Sequence, residues 1–87
     1  MNSVVIHVPV GRLCVESKAC PTLIVPPVMR EVRFPVLGDD GFWHEKKYLV
    51  SAGGINSPPV VTSVTNINPM INWHCAIKCI VPFVVYN

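Results

Sequence analysis

Charged residues are scarce in this sequence. Only 14% of its 87 residues are Asp, Glu, Lys or Arg, against roughly 25% in an average soluble domain. Hydrophobic residues make up 51% of the chain. A chain of this length leaves roughly a third or more of its unfolded surface exposed after folding. The composition therefore predicts that other subunits cover part of the folded surface.

Long runs of like charge are also absent. Seven Lys and Arg residues against five Asp and Glu residues give a net charge of +2, and neither sign forms a run longer than a pair. A dedicated nucleic-acid-binding protein usually carries a basic stripe or patch. The charge distribution argues against that class of protein.

Targeting and membrane segments are not evident. Residues 1–9 lack the basic start and the long apolar run of a signal peptide, so we expect a location in a virion or in the cytoplasm of the producing cell. Residues 48–77 contain no charged side chain, but they hold four asparagines and three prolines. These groups would be costly in lipid, and we therefore expect no membrane-spanning helix.

Nine prolines and many short Val- and Ile-rich runs indicate the fold class. Valine and isoleucine suit a pleated sheet, whereas frequent prolines prevent long helices. We expect one all-β domain over residues 1–87, a small sandwich or barrel of about five to six short strands with proline-rich extended segments. No composition typical of a flexible linker divides the chain.

The first predicted strand has a clear apolar face formed by Val4, Ile6, Val8 and Val10. His7 and Pro9 lie on the opposite face, which favours an edge strand. Gly11 either ends this strand or bends it. A brief apolar segment at residues 22–25, bracketed by prolines, fits a strand or part of an extended arm over residues 19–28.

A hairpin is the strongest local prediction. Apolar and charged residues alternate over residues 30–37, a Gly-Asp-Asp-Gly turn follows at residues 38–41, and residues 42–50 return.

Two further strands are predicted after a loop that contains Gly53, Gly54, Pro58 and Pro59. The first covers residues 60–67 and ends at Asn66, Asn68 and Pro69. The second covers residues 71–81, with one buried face formed by Ile71, Trp73, Cys75, Ile77, Cys79 and Val81.

Four cysteines allow disulfides, a metal site or free thiols. On one strand Cys75 and Cys79 would lie about 13 Å apart at roughly 3.3 Å per residue, too far to pair with each other. Cys14 and Cys20 could bond to each other or to the last strand, but without an export signal an oxidising compartment is unsupported. Because unpaired cysteine is often buried, we expect free thiols in the core.

No residue set supports catalysis, a cofactor or a metal. Adjacent strand residues such as His74 and Cys75 point to opposite faces, so they form a poor Cys-His pair. A cation site could be formed by Asp39, Asp40 and Glu45. The Gly-Asp-Asp-Gly composition is more typical of a turn with solvated carboxylates. Phosphate loops and hydrolase motifs are not found, and we expect a protein that is not an enzyme.

A basic and aromatic cluster on the hairpin supports an alternative function. Arg33, Trp43, Lys46 and Lys47 could bind single-stranded nucleic acid as a small β-barrel does, by stacking bases and holding phosphates. Glu31 and Glu45 weaken this interpretation because they can pair with the cations across the strands.

The scarcity of charge favours assembly as the main function. Val- and Thr-rich strands with few edge charges tend to pair edge to edge, and proline-bracketed segments suit arms that bind a neighbouring subunit. We expect a structural subunit, most like a minor capsid, decoration or tail component of a virus or phage, with copies of itself or larger structural proteins as partners. A secreted module held by disulfides is a third possibility.

Overall fold

A computed structural model describes residues 3–70 and 75–86 of the chain. Over these residues it contains six strands and no helix: β1 (Ser3–Leu13), β2 (Leu23–Val25), β3 (Glu31–Leu37), β4 (Trp43–Val50), β5 (Val61–Met70) and β6 (Ile77–Tyr86). The predicted all-β class is confirmed.

The strands form a single open sheet in the order β2-β6-β1-β3-β4-β5. All neighbouring strands are antiparallel except β2, which runs parallel to β6. The sheet does not close, so the predicted sandwich or barrel is not confirmed, and neither are the proline-rich extended segments. Of the two alternatives for residues 22–25, the structure shows a short strand at the sheet edge.

The sheet has two halves that meet at one point. β1 and β3 pair only at Leu13 and Val36, which leaves β2-β6-β1 on one side and β3-β4-β5 on the other. The Tyr48 ring of β4 lies 5.9 Å from the Phe83 ring of β6, centroid to centroid. Strands three places apart in the order therefore bring their side chains together, and the core lies between the two halves.

β1 presents the predicted apolar face to this core. Val8 and Val10 are buried, and Val4 and Ile6 are half-buried. The ladder to β6 shifts register between Pro9 and Gly11, so a bulge at Val10 brings Leu13 onto the inner face. Gly11 has a φ of 108°, a backbone conformation that other residues rarely adopt.

The predicted edge position of β1 is wrong in the strand order, because β1 lies between β6 and β3. His7 and Pro9 face outward nonetheless. Since β3 pairs with β1 at a single residue, most of the β3-facing side of β1 has no ladder partner, which explains why an outward proline is tolerated there.

The predicted hairpin is confirmed. β3 and β4 pair from Glu31 with Leu49 to Leu37 with Trp43. The Gly38 amide donates to the carbonyl of Phe42 at 2.8 Å, and the Gly41 amide donates to the carbonyl of Gly38 at 3.1 Å.

β5 is longer than predicted. It continues to Met70, where the sequence pattern predicted an end at residues 66–69. Lys46 pairs with Thr65 but His44 pairs with Pro69, so β5 carries extra residues opposite β4 at this point. The predicted strand end is a bulge, and Pro69 is accepted because β5 is an edge strand.

The last strand lies further along the chain than predicted. β6 begins at Ile77 and ends at Tyr86, and the predicted residues 71–74 lie outside the described part. Its inner face is confirmed for Cys79 and Val81 and continues through Phe83 and Val85. The predicted burial of Cys75 is wrong, because this residue precedes β6 and is exposed.

Candidate interaction surfaces

All four cysteines form disulfides, Cys14 with Cys75 and Cys20 with Cys79. The Cα–Cα distances are 5.0 and 5.4 Å, within the usual range for the bond. The prediction of free thiols is wrong. A bond from Cys14 or Cys20 to the last strand was one of the alternatives, and free thiols were favoured because no export signal was found. The antiparallel pairing of β1 with β6 brings together cysteines about 60 residues apart in sequence.

The disulfides leave no thiol for nucleophilic catalysis or for thiolate ligation of a metal. Within residues 3–70 and 75–86 no three His, Cys, Asp or Glu side chains are grouped as metal ligands. His74, the other member of the weighed Cys-His pair, lies outside the described residues.

The outer face of the hairpin carries a network of paired charges. Arg33 lies 3.0 Å from Glu31 and 3.3 Å from Glu45, measured from guanidinium nitrogen to carboxylate oxygen. Lys47 Nζ lies 3.1 Å from the same Glu31 carboxylate. Hydrogen bonds from Lys47 and Arg33 lower the pKa of Glu31, and the Glu31 and Glu45 carboxylates raise the pKa of Arg33. The charges on this face nearly balance. Glu31 and Glu45 pair with the neighbouring cations, as predicted.

The four residues of the nucleic-acid alternative do not share one surface. Arg33 and Lys47 lie side by side within the charge network. Lys46 lies on the opposite face of β4, where its Nζ is 5.6 Å from the centre of the Tyr48 ring. Trp43 is 0% exposed. A buried indole offers no face for a base to stack on, because stacking requires an accessible ring.

The tip of the hairpin is acidic and has an exposed aromatic ring. We call Asp39, Asp40 and Phe42 the acidic tip. Asp40 accepts a hydrogen bond from the Phe42 amide at 3.0 Å and contacts His44 Nε2 at 2.8 Å, and these two contacts lower its pKa, the backbone bond first. They form the predicted turn, hold Asp40 in place and leave the Phe42 side chain 53% exposed.

A shallow pocket of about 310 Å³ lies beside this tip. Its lining includes Asp39, His44, Lys46 and Thr65. Acid and base face the same space, so the pocket does not select an anion or a cation by charge.

An apolar surface covers the outside of the other half of the sheet. Val84 of β6 pairs with Val5 of β1 on one side and with Ile24 of β2 on the other. Val5, Ile24 and Ile80 are 52%, 61% and 59% exposed. We call this surface the apolar outer strip; it consists of Val5, Pro9, Ile24, Ile80, Pro82 and Val84. The exposed His7 of β1 lies opposite Pro82 within this strip.

One end of the apolar outer strip is basic. Arg12 and Lys78 are directly opposite each other in the β1–β6 ladder, one step beyond the bulge, and both are exposed. Like charges in this arrangement repel. Within the part of the chain that the structure describes, neither side chain has an ion-pair partner.

The sequence reasoning did not identify the apolar outer strip, although the signal was available. On the outer face, β6 is apolar at Ile80, Pro82 and Val84, and β1 adds Val5 and Pro9 on either side of His7. A strand with a solvated outer face normally alternates apolar with polar residues, so this pattern indicates a second covered face.

Comparisons with known proteins identify no relative: no family model, no curated protein and no solved structure matches the chain. Across the described residues, no helix is long and apolar enough to cross a membrane.

Proposed function

We propose that this protein is a non-enzymatic structural subunit of a larger assembly, held there by lateral contacts. The assembly we propose is a virus or phage particle, with the chain as a minor capsid, decoration or tail component. Copies of itself or larger structural proteins are its partners.

The apolar outer strip is the observation that carries this proposal. Val5, Val84 and Ile24 form a row across three neighbouring strands, and Val5, Ile24 and Ile80 are more than half exposed in the isolated chain. A contiguous apolar patch of this kind typically marks an interaction site on a soluble protein. The charge network of the other outer face provides the contrast, because it is already satisfied within the chain.

The edge strand β5 supports the same proposal. Its ten residues include no charged side chain, and Val64 and Ile67 are exposed. Natural edge strands that stay free usually carry charges or are very short. Addition of a neighbouring strand to β5 would satisfy its unpaired backbone groups.

The disulfides are compatible with a virion and less so with reducing cytoplasm. Disulfides persist in secreted proteins and on virion surfaces, whereas cytosolic thiols are usually kept reduced. We therefore propose the virion as the location in which both bonds are formed.

A secreted module stabilised by disulfides is the second candidate, because the two bonds fit that class equally well. The two candidates differ in the oligomeric state that they require. A secreted module can function as a stable monomer, whereas a structural subunit must lose its monomeric state when it assembles.

The oxidised protein should be sized by light scattering after gel filtration at several concentrations, with a parallel thermal melt. We expect species larger than the 9.6 kDa monomer and a shift to smaller species for the variant Val5→Lys/Ile80→Lys. Ile55→Lys is the matched control, because Ile55 is fully exposed in a loop. A dilute monomer with a cooperative melt would contradict the proposal and favour the secreted module.

A further inference from the structure

The basic end of the apolar outer strip lacks a counter-charge. Arg12 and Lys78 are paired across the ladder, and side chains in that relation lie about 5 Å apart at their Cβ atoms. Pro9 and Ile80 form the next pair along the strip. An occupant of this surface would therefore combine an apolar group with at least one carboxylate.

The acidic tip of the same chain has this combination. Phe42 presents an exposed ring, and Asp39 beside it is exposed without an ion pair among the described residues. Asp40 keeps the turn in shape through its bonds to the Phe42 amide and His44. The tip is thus a preorganised loop, which loses little conformational entropy on binding.

We infer that the acidic tip of a second copy of this chain docks on the basic end of the apolar outer strip, with Phe42 against Ile80 and Pro9 and with Asp39 between Arg12 and Lys78. This inference rests on the proposed function and names the contact through which the subunits assemble. Among the described residues of one chain, no ion pair joins the tip to Arg12 or Lys78, so both surfaces remain available to a neighbour.

Two complementary variants test the contact. Arg12→Glu/Lys78→Glu makes the basic end acidic, and Asp39→Lys/Asp40→Asn makes the tip basic while keeping an oxygen at position 40 for the Phe42 amide. Each variant alone brings like charges together at the contact. We expect each to raise the dissociation constant of assembly by about tenfold or more, because like-charge contacts at an interface are strongly unfavourable.

Mixing the two variants is the decisive step. In the mixture the wild-type tip of the first variant meets the wild-type basic end of the second, and the two reversed surfaces also match. We expect assembly to return in the mixture, measured by light scattering at equal total concentration. A charge reversal at an exposed site of the loop after β1, Lys18→Glu, serves as the control and should leave assembly unchanged.

Salt provides a second readout. The Debye screening length falls to about 3 Å at 1 M ionic strength. Wild-type assembly should therefore weaken as the salt concentration rises, and assembly of the variant mixture should weaken in the same way. An assembly that salt leaves unchanged or strengthens would contradict a charged contact.

The outcomes separate this inference from the proposed function. If both variants fold and assemble as the wild type does, or if the mixture stays dissociated, the tip contact is wrong. If the Val5→Lys/Ile80→Lys variant nevertheless forms smaller species than the wild type, the assembly proposal stands without the tip contact. A wild-type protein that is monomeric at all concentrations would contradict the proposed function itself.

Discussion

The Tyr48 hydroxyl donates a hydrogen bond to the backbone carbonyl of Val10, with an oxygen–oxygen distance of 3.4 Å. Val10 is the residue at the β1 bulge, between the register pairs of Pro9 and Gly11. A bulge leaves a backbone group outside the ladder, and here a side chain from the other half of the sheet satisfies it. The bond links the two halves away from their single point of pairing.

Replacement of Tyr48 by phenylalanine should destabilise the protein by about 1 kcal/mol, because the ring stays in place while the Val10 carbonyl loses its partner. Urea unfolding of the oxidised protein measures this change. Tyr86→Phe, at the end of β6, is the matched control. Equal stability of the two variants would show that the Val10 bond contributes nothing.

Stability should also fall at high pH because of Tyr48. Burial raises the pKa of its hydroxyl to about 12, while an unfolded tyrosine titrates near 10. The folded pKa is the higher one, so this contribution is fully present below about pH 10 and is lost as pH rises through 12. The unfolding free energy of the wild type should therefore fall relative to that of Tyr48→Phe as pH rises from about 10 to about 12, and urea titrations at several pH values test this.

At low pH the Glu31 carboxylate should have the opposite effect. Its pKa is lowered by Lys47 and Arg33, so its contribution is present above its ordinary value near 4.3 and is lost as pH falls through the folded value. The effect should be small because the group is exposed to solvent. Glu31→Gln should flatten this part of the stability profile, and Glu16→Gln should not. A profile that Glu31→Gln leaves unchanged would argue against the network.

The disulfides should be detectable before any functional test. Under denaturing, non-reducing conditions a thiol reagent should find no free thiol, and after reduction it should find four. Detection of free thiols in protein kept from reductants would contradict the pairing.

Removal of either disulfide should destabilise the fold by about 2 kcal/mol or more, since each closes a loop of roughly 60 residues. Cys20→Ala/Cys79→Ala should cost more than Cys14→Ala/Cys75→Ala, because Cys79 is buried in the core whereas Cys75 is exposed. Urea unfolding of both double variants compares them. A larger loss of stability in Cys14→Ala/Cys75→Ala would show that core packing at Cys79 contributes little to stability.

Single-stranded nucleic acid should not bind with useful affinity. Fluorescence anisotropy with labelled oligonucleotides at low salt is the measurement, because phosphate contacts are strongest there. The paired state of Arg33 and Lys47 and the burial of Trp43 are the reasons for this expectation. Saturable binding that weakens with salt and is lost in Lys46→Ala would instead favour the alternative function.

Local pattern was sufficient for the strands with one clear apolar face. The alternation of Val8 and Val10 and the turn at residues 38–41 depend on neighbours within a few residues, and both are found as predicted. The end of β5 was misjudged because asparagine and proline usually terminate a strand, and only its edge position allows the strand to continue.

The sequence by itself determined that this chain is all-β, that its hairpin turns at residues 38–41, and that charges are too few to cover the surface. These properties follow from side-chain chemistry and the two-residue period of a strand. Tertiary structure alone decided the disulfides, the burial of Trp43, and the meeting of Arg12 with Lys78 beside an apolar strip. The physical reason is that each depends on which strands become neighbours, and the pairing of β1 with β6 joins residues from opposite ends of the chain.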